Sequence, residues 1–239
     1  MTGIEELSYR RITENIAGKL DLLEAYLFYC LALCSDCYTM VSNVKQESLT
    51  QFYGIKNDDQ IRKWLHKFED LNLIQIDKQP IKGKYGSFDR CSYILNTEHY
   101  VLISKKLYSE PISRQLKGFL VLLKCKCLNG TNTSQYIQSE LARVLNISES
   151  SVSRYLKQAE DSGYIKRDDK GIHLKNKKIF IVTPESTFAL IKNVYPNILT
   201  DEDISERRIH NKTSVYSFTI SNGGATTRIF RIRATTPLF

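Results

Sequence analysis

IQSELARVLNISESSVSRYLKQAEDSGYIK, residues 137–166, is the stretch on which the fold turns. Leu141, Val144 and Leu145 recur at helical spacing and give a first helix one apolar face. Asn146-Ile147 breaks the pattern. Ser148 then stands where an N-cap belongs, its hydroxyl placed to accept from amides of the next turn. Val152, Leu156 and Ala159 form the apolar stripe of a second helix, bordered by Tyr155. Ser150, Ser151, Ser153, Arg154 and Lys157 are left on or near its outward face. Gly163 suits a left-handed C-cap, and Tyr164-Ile165 starts a strand. The plain alternative is a helical hairpin with a solvated polar face.

Taken in this order, SELARVLNISESSVSRYLKQAEDSGYIKR, residues 139–167, resembles the helix-turn-helix of bacterial winged-helix DNA-binding proteins. The resemblance implies that the second helix enters the major groove and that a β-hairpin wing follows it. Chemistry points the same way: small hydroxyl side chains let a helix approach base edges, while Arg and Lys supply guanine and phosphate contacts.

The unit occurs twice. Leu49 and Ile55 stand 92 residues before Leu141 and Ile147. Past one extra residue in the first copy, Ile61, Trp64, Leu65 and Ile74 stand 91 residues before Val152, Tyr155, Leu156 and Ile165. A hydrophobic helix precedes each copy: an amphipathic one marked by Leu20, Leu23, Leu27, Leu31 and Cys34, and a second over 116–127. A hairpin pattern follows each copy. In the first, strands over 73–77 and 87–95 bracket KQPIKGKYG, residues 78–86, a Pro/Gly-rich tip carrying Lys78, Lys82 and Lys84. In the second, strands over 164–167 and 179–182 bracket the turn Asp168-Asp-Lys-Gly171 and the basic residues Lys175, Lys177 and Lys178. Any one lysine of the first tip reads nearly as well as part of a solvated loop as it does as a phosphate contact.

The copies are not equivalent. The first reading helix opens Asn57-Asp58-Asp59-Gln60, which suits the macrodipole but opposes groove entry unless a carboxylate reads a cytosine amino group. Arg62 and Lys63 lie further along, within reach of the backbone. The second copy is therefore the expected main reader.

The expected class is mainly α with small β-hairpins (α+β): two tandem winged-helix domains plus a basic C-terminal extension. The domains fall at 1–98 and 113–199, with a linker over 99–112 in which Pro111 opens the next helix, and an extension over 200–239. A short helix is expected before residue 18, and another over 183–193, where Thr183-Pro184 makes a good start. Beyond Ser205, Arg207, Arg208, Lys212, Arg228, Arg231 and Arg233 face Glu206 alone among acids. Strand-like runs over 215–220 and 226–232 flank the turn dipeptide Asn222-Gly223.

The balance of 34 basic to 26 acidic residues, a formal +8, suits a nucleic-acid partner without requiring one. No apolar run reaches the roughly 18–20 residues needed to span a bilayer, and Glu5, Glu6 and Arg10 argue against a signal peptide. Cys30 and Cys34 lie one turn apart in an apolar run, as buried thiols in a reducing cytoplasm would. Cys34-x-x-Cys37 and Cys125-x-Cys127 lack the paired spacing or nearby histidines of a zinc site. His66, His99, His173 and His210 are scattered, and no phosphate loop or nucleophile elbow occurs. No cofactor, metal or catalytic residue is expected. The expected partner is double-stranded DNA, with a homodimer left open and no membrane. The function expected from the resemblance is sequence-specific duplex binding by a transcriptional regulator. A plasmid or phage replication initiator, or a winged-helix interaction scaffold, are the rivals.

Overall fold

A computed structural model describes residues 9–83, 86–128, 131–182, 215–222 and 225–233. The chain forms two compact units, Met1–Val182 and Thr183–Phe239. The expected helix over 183–193 lies outside the described residues.

The described part of the first unit begins with strand β1 (Tyr9–Thr13) and a 3-10 turn over Glu14–Ile16, where the sequence pattern predicts a helix; residues 1–8 of that stretch lie outside the described residues. The strand forms because a partner is available: β1 lies antiparallel to β5 (Tyr100–Ser104), which on its other edge pairs with β9 (Phe180–Ile181). Between them the same series of elements runs twice. Its first pass is α1 (Leu22–Leu33), β2 (Val41–Ser42), α2 (Gln46–Tyr53), α3 (Asp58–Asp70), β3 (Ile74–Gly83) and β4 (Gly86–Leu95). After β5 and the short α4 (Lys106–Ser109) comes the second pass: α5 (Arg114–Cys125), β6 (Thr133–Ser134), α6 (Gln138–Leu145), α7 (Glu149–Asp161), β7 (Ile165–Asp168) and β8 (Gly171–Leu174). The small antiparallel sheets have matching orders, β2-β4-β3 and β6-β8-β7. The fold is mixed α and β with small antiparallel sheets.

Helix α1 starts at a capping box, with Asp21 Oδ1 accepting from the amides of Leu23 and Glu24 while Glu24 accepts from the amide of Asp21. It is not amphipathic in the way its leucine spacing predicts: Glu24 and every residue from Ala25 to Ala32 are buried. Helix α5 is buried in the same manner from Leu116 to Cys125, and the two pack face to face. An apolar helix with no solvated side belongs at the centre of a core. Gly118 permits the approach, since a Cβ there would sit 1.7 Å from the Leu22 carbonyl oxygen. Around this pair one continuous core gathers Phe28, Phe68, Phe119, Leu156 and Phe180. Each such side chain contributes roughly 1.5–3 kcal/mol by leaving water.

Pro111 does not open α5; it precedes Ser113, whose hydroxyl caps the helix by accepting from the Leu116 amide at 3.2 Å. In the second unit, β10 (Val215–Asn222) and β11 (Ala225–Arg233) make the expected hairpin, with Val215 opposite Arg233 and Ile220 opposite Arg228. Arg207, Arg208 and Lys212 lie outside the described residues.

Candidate nucleic-acid interface

Helices α6 and α7 enclose the turn at Asn146, which takes the left-handed conformation (φ 54°) that ends α6. Asn tolerates this region better than most residues. Leu141, Ala142 and Leu145 point α6 at the core, and Val152, Tyr155, Leu156 and Ala159 do the same for α7. Tyr155 is buried at 6% exposure rather than bordering the stripe, its ring 5.6 Å from that of Phe119 on α5. Helix α7 is thereby seated on α5 by an aromatic contact.

Ser148 caps α7 as expected, its Oγ accepting from the Ser151 amide at 3.2 Å. The same hydroxyl donates to Ser151 Oγ at 2.8 Å and lies 3.2 Å from Ser150 Oγ. Three hydroxyls thus gather on the first turn. Ser150, Ser153, Arg154 and Lys157 are exposed, and Ser151 is half-buried. Arg154 lies along the helix, its guanidinium 4.8 Å from the Tyr155 ring centre and one Nη2 donating to the Tyr155 hydroxyl at 3.2 Å. One of its five N–H donors is engaged there, which orients the fork and leaves most of its capacity for a ligand.

The hairpin after α7 is shorter than its sequence suggests. Strand β7 pairs with β8, Asp168 facing Gly171, whereas Phe180–Ile181 belongs to a different sheet. Lys175, Lys177 and Lys178 are exposed on the connection beyond the hairpin, not at its tip. The tip itself is Asp169-Lys170, and Gly171 (φ 125°) admits no side chain because a Cβ would lie 2.3 Å from the Ser134 carbonyl oxygen. The basic residues on the hairpin proper are Lys166, Arg167 and Lys170, which stand out less in sequence than the lysine run further along. Arg167 forks onto Glu160 of α7, Nε to Oε2 at 2.9 Å, and this pairing holds the Glu160 carboxyl below its ordinary range. The Asp168 carboxyl is likewise held low, first by His173 Nε2 at 2.7 Å and then by the Lys170 amide at 3.0 Å. Arg143 is likewise exposed, on α6.

The first copy is built alike with different chemistry. Gly54 (φ 86°) ends α2, and Asn57 caps α3 by accepting from the Asp59 amide at 3.0 Å. Arg62 is turned back to Asp59 at 3.3 Å, while Lys63 is exposed and makes no ion pair among the described residues. Lys67 reaches inward instead, both Glu24 oxygens lying within 2.7 Å of its Nζ, so a buried carboxylate of α1 holds α3 in place. Breaking such a pair leaves a charge unmatched in the core.

Strands β3 and β4 pair from Ile74–Leu95 out to Gly83–Gly86, a longer ribbon than the strands predicted over 73–77 and 87–95. Pro80 is tolerated because β3 is an edge strand. Lys78 is exposed, Lys82 lies on β3 opposite Ser87, and Lys84 falls outside the described residues. Neither α2 nor α6 has a side-chain cap, so their first-turn amides lack a side-chain acceptor.

Residues 138–166 match the model of the winged helix-turn-helix DNA-binding family. This segment resembles a winged helix-turn-helix. The match takes in α6, the Asn146 turn, α7 and the first two residues of β7. The β7–β8 hairpin follows α7 directly. No curated protein matches the chain.

All six cysteines are free. Burial raises the thiols of Cys30 and Cys125, and that of Cys127 to about 12, which makes them poor nucleophiles. Among the described residues no group of three or more His, Cys, Asp or Glu side chains could hold a metal ion, and no helix is long and apolar enough to cross a membrane.

Proposed function

We propose that the chain is a sequence-specific duplex-DNA-binding protein built on two tandem winged-helix units, and that it acts as a transcriptional regulator. One observation carries this reading: the outward side of α7 presents Ser150, Ser153, Arg154 and Lys157, all exposed, with Ser151 half-buried beside them. Small hydroxyls and an oriented guanidinium suit base edges, and Lys157 suits a phosphate. The tandem arrangement draws support from the recurrence of element order and sheet order around α1 and α5. In this reading the winged units occupy 1–98 and 113–199, the segment over 99–112 joins them, and 200–239 is a basic extension. Ser148, Ser150, Ser151, Ser153, Arg154 and Lys157 read or approach the groove. Lys175, Lys177, Lys178, Arg62, Lys63, Lys82 and Lys84 serve the backbone.

A replication initiator is the second reading, favoured by the unlike first turns of α3 and α7. The test is a fluorescence-anisotropy titration of the full chain with duplexes selected from a random library. Binding should weaken steeply with salt, about a thousandfold between about 50 and 200 mM if some six phosphates are neutralised. Absence of binding to any duplex at low salt would remove the proposal. Selected sites lying upstream of genes favour the regulator, and clustered repeated sites at a replication origin favour the initiator.

A further inference from the structure

The two copies coincide element by element. Helices α1 and α5 begin at 22 and 114, and α2 and α6 at 46 and 138, displaced by 92 in each case. Helices α3 and α7 begin at 58 and 149, displaced by 91, and the feet of the wings, Leu95 and Leu174, by 79. Counterpart residues can therefore be named along the two series of helices and at the feet of the wings, and their contacts bear on how the copies are related.

Strands β5 and β9 each follow a wing and pair antiparallel with Leu102 opposite Ile181. Counted from the feet of the wings, these are the same position. Equivalent strands that pair antiparallel about the same position are related by a local two-fold. Contacts at the helix-turn-helix turns agree. Phe52 and Val144 are counterparts near the ends of α2 and α6. The Phe52 carbonyl accepts from the Tyr108 hydroxyl at 2.9 Å, with the two rings stacked at 4.3 Å. Arg114 Nη1 adds a bond to the Gly54 carbonyl at 3.0 Å. The Val144 carbonyl lies against Gly18, 2.8 Å from where its Cβ would be. Tyr108 and Gly18 both belong to segments leading into a first helix, Tyr108 into α5 and Gly18 into α1. Each copy thus braces the other's turn, just before the reading helix. Copies related head to tail would brace in one direction only; mutual bracing is isologous.

A two-fold in the protein matches the local two-fold of duplex DNA, where it places reading helices on inverted half-sites. Resting on the duplex-binding proposal above, we infer that one copy of the chain reads two inverted half-sites of unlike sequence on a single duplex. The halves differ because the reading turns differ. The α7 turn offers serine hydroxyls and Arg154, which suits guanine; the α3 turn offers Asp58 and Asp59, carboxylates that accept from a cytosine amino group. Arg62, braced on Asp59, limits the repulsion of that turn by phosphates. An inverted site selected by this protein consequently does not signify a dimer.

The experiment uses the full chain on its best selected duplex. Native mass spectrometry gives the stoichiometry, hydroxyl-radical footprinting the protected halves, and anisotropy the affinity after insertion of one base pair at the centre. That insertion moves one half by ~3.4 Å along the axis and about a tenth of a turn around it. Expected are one chain per duplex, two protected inverted halves, and a loss of about a hundredfold on insertion, like the loss on scrambling either half. Two chains per inverted site, halves in direct orientation, or a single protected half indifferent to insertion would each overturn the inference while leaving duplex binding intact. Failure to bind any duplex would overturn both.

Discussion

Arg154 is the residue on which base reading should depend most. Its fork is oriented by the Tyr155 hydroxyl and ring, and Tyr155 is itself fixed against Phe119. Replacement by alanine should cost about 1–3 kcal/mol on the selected site if it pairs with guanine, with little change on a scrambled duplex. Arg62→Ala should cost less, since that guanidinium is already turned to Asp59. Titration of both variants on both duplexes checks this, and a larger specific loss from Arg62→Ala would reverse the order. Most of this chemistry was legible in the sequence: the serine cap, the buried stripe and the outward Arg and Lys all follow from helical spacing. What spacing could not supply is which partner each long side chain prefers. Lys67 turns inward because a buried carboxylate on α1 awaits it, and no local pattern links Lys67 to Glu24.

Among the elements, the meeting of α1 and α5 matters most, and it rests on one missing side chain. Gly118→Ala would drive a methyl group to 1.7 Å from the Leu22 carbonyl oxygen, a backbone atom that moves only with its helix. A loss of about 3 kcal/mol or more is expected, at the upper end of overpacking, measured by urea denaturation. An unchanged midpoint would mean that the helices can part cheaply. The second wing offers a pH test. Asp168 and Glu160 are held below their ordinary values, so they bind protons in the unfolded chain before the folded one as pH falls. Their contribution is complete above the unfolded value of about 4 and disappears as pH drops through the folded one. Asp168→Asn should therefore lower Tm at neutral pH and flatten its fall on the acid side; parallel Tm-against-pH curves would contradict this. These elements were less legible than single residues. The leucine spacing of α1 suggested one apolar face because the cover on its other face comes from α5, some ninety residues away. Pro80 and Gly83 look like turn residues, yet an edge strand accommodates both. In the second wing, Gly171–Leu174 is too short a run to stand out beside 179–182, whose partner is β5.

At the scale of the whole molecule, the repeat of the helix pair was visible as a displacement of 91–92 residues, but not the way its copies face each other. That depends on β5 pairing with both β1 and β9, and on mutual bracing at Phe52 and Val144, contacts between segments that look unrelated in sequence. The shared α1–α5 core has a consequence for folding in pieces. A gene divided after the exposed Lys105 would give two polypeptides, each carrying one series of the repeated elements and each exposing an apolar helix meant for the other. Neither should fold alone, whereas the mixture should reassemble with second-order kinetics and regain both its helical circular dichroism and its DNA affinity. A half that folded by itself would show that its winged unit is autonomous. Reassembly would make this protein a split reporter, in which occupancy of a DNA site records the encounter of two separately made chains.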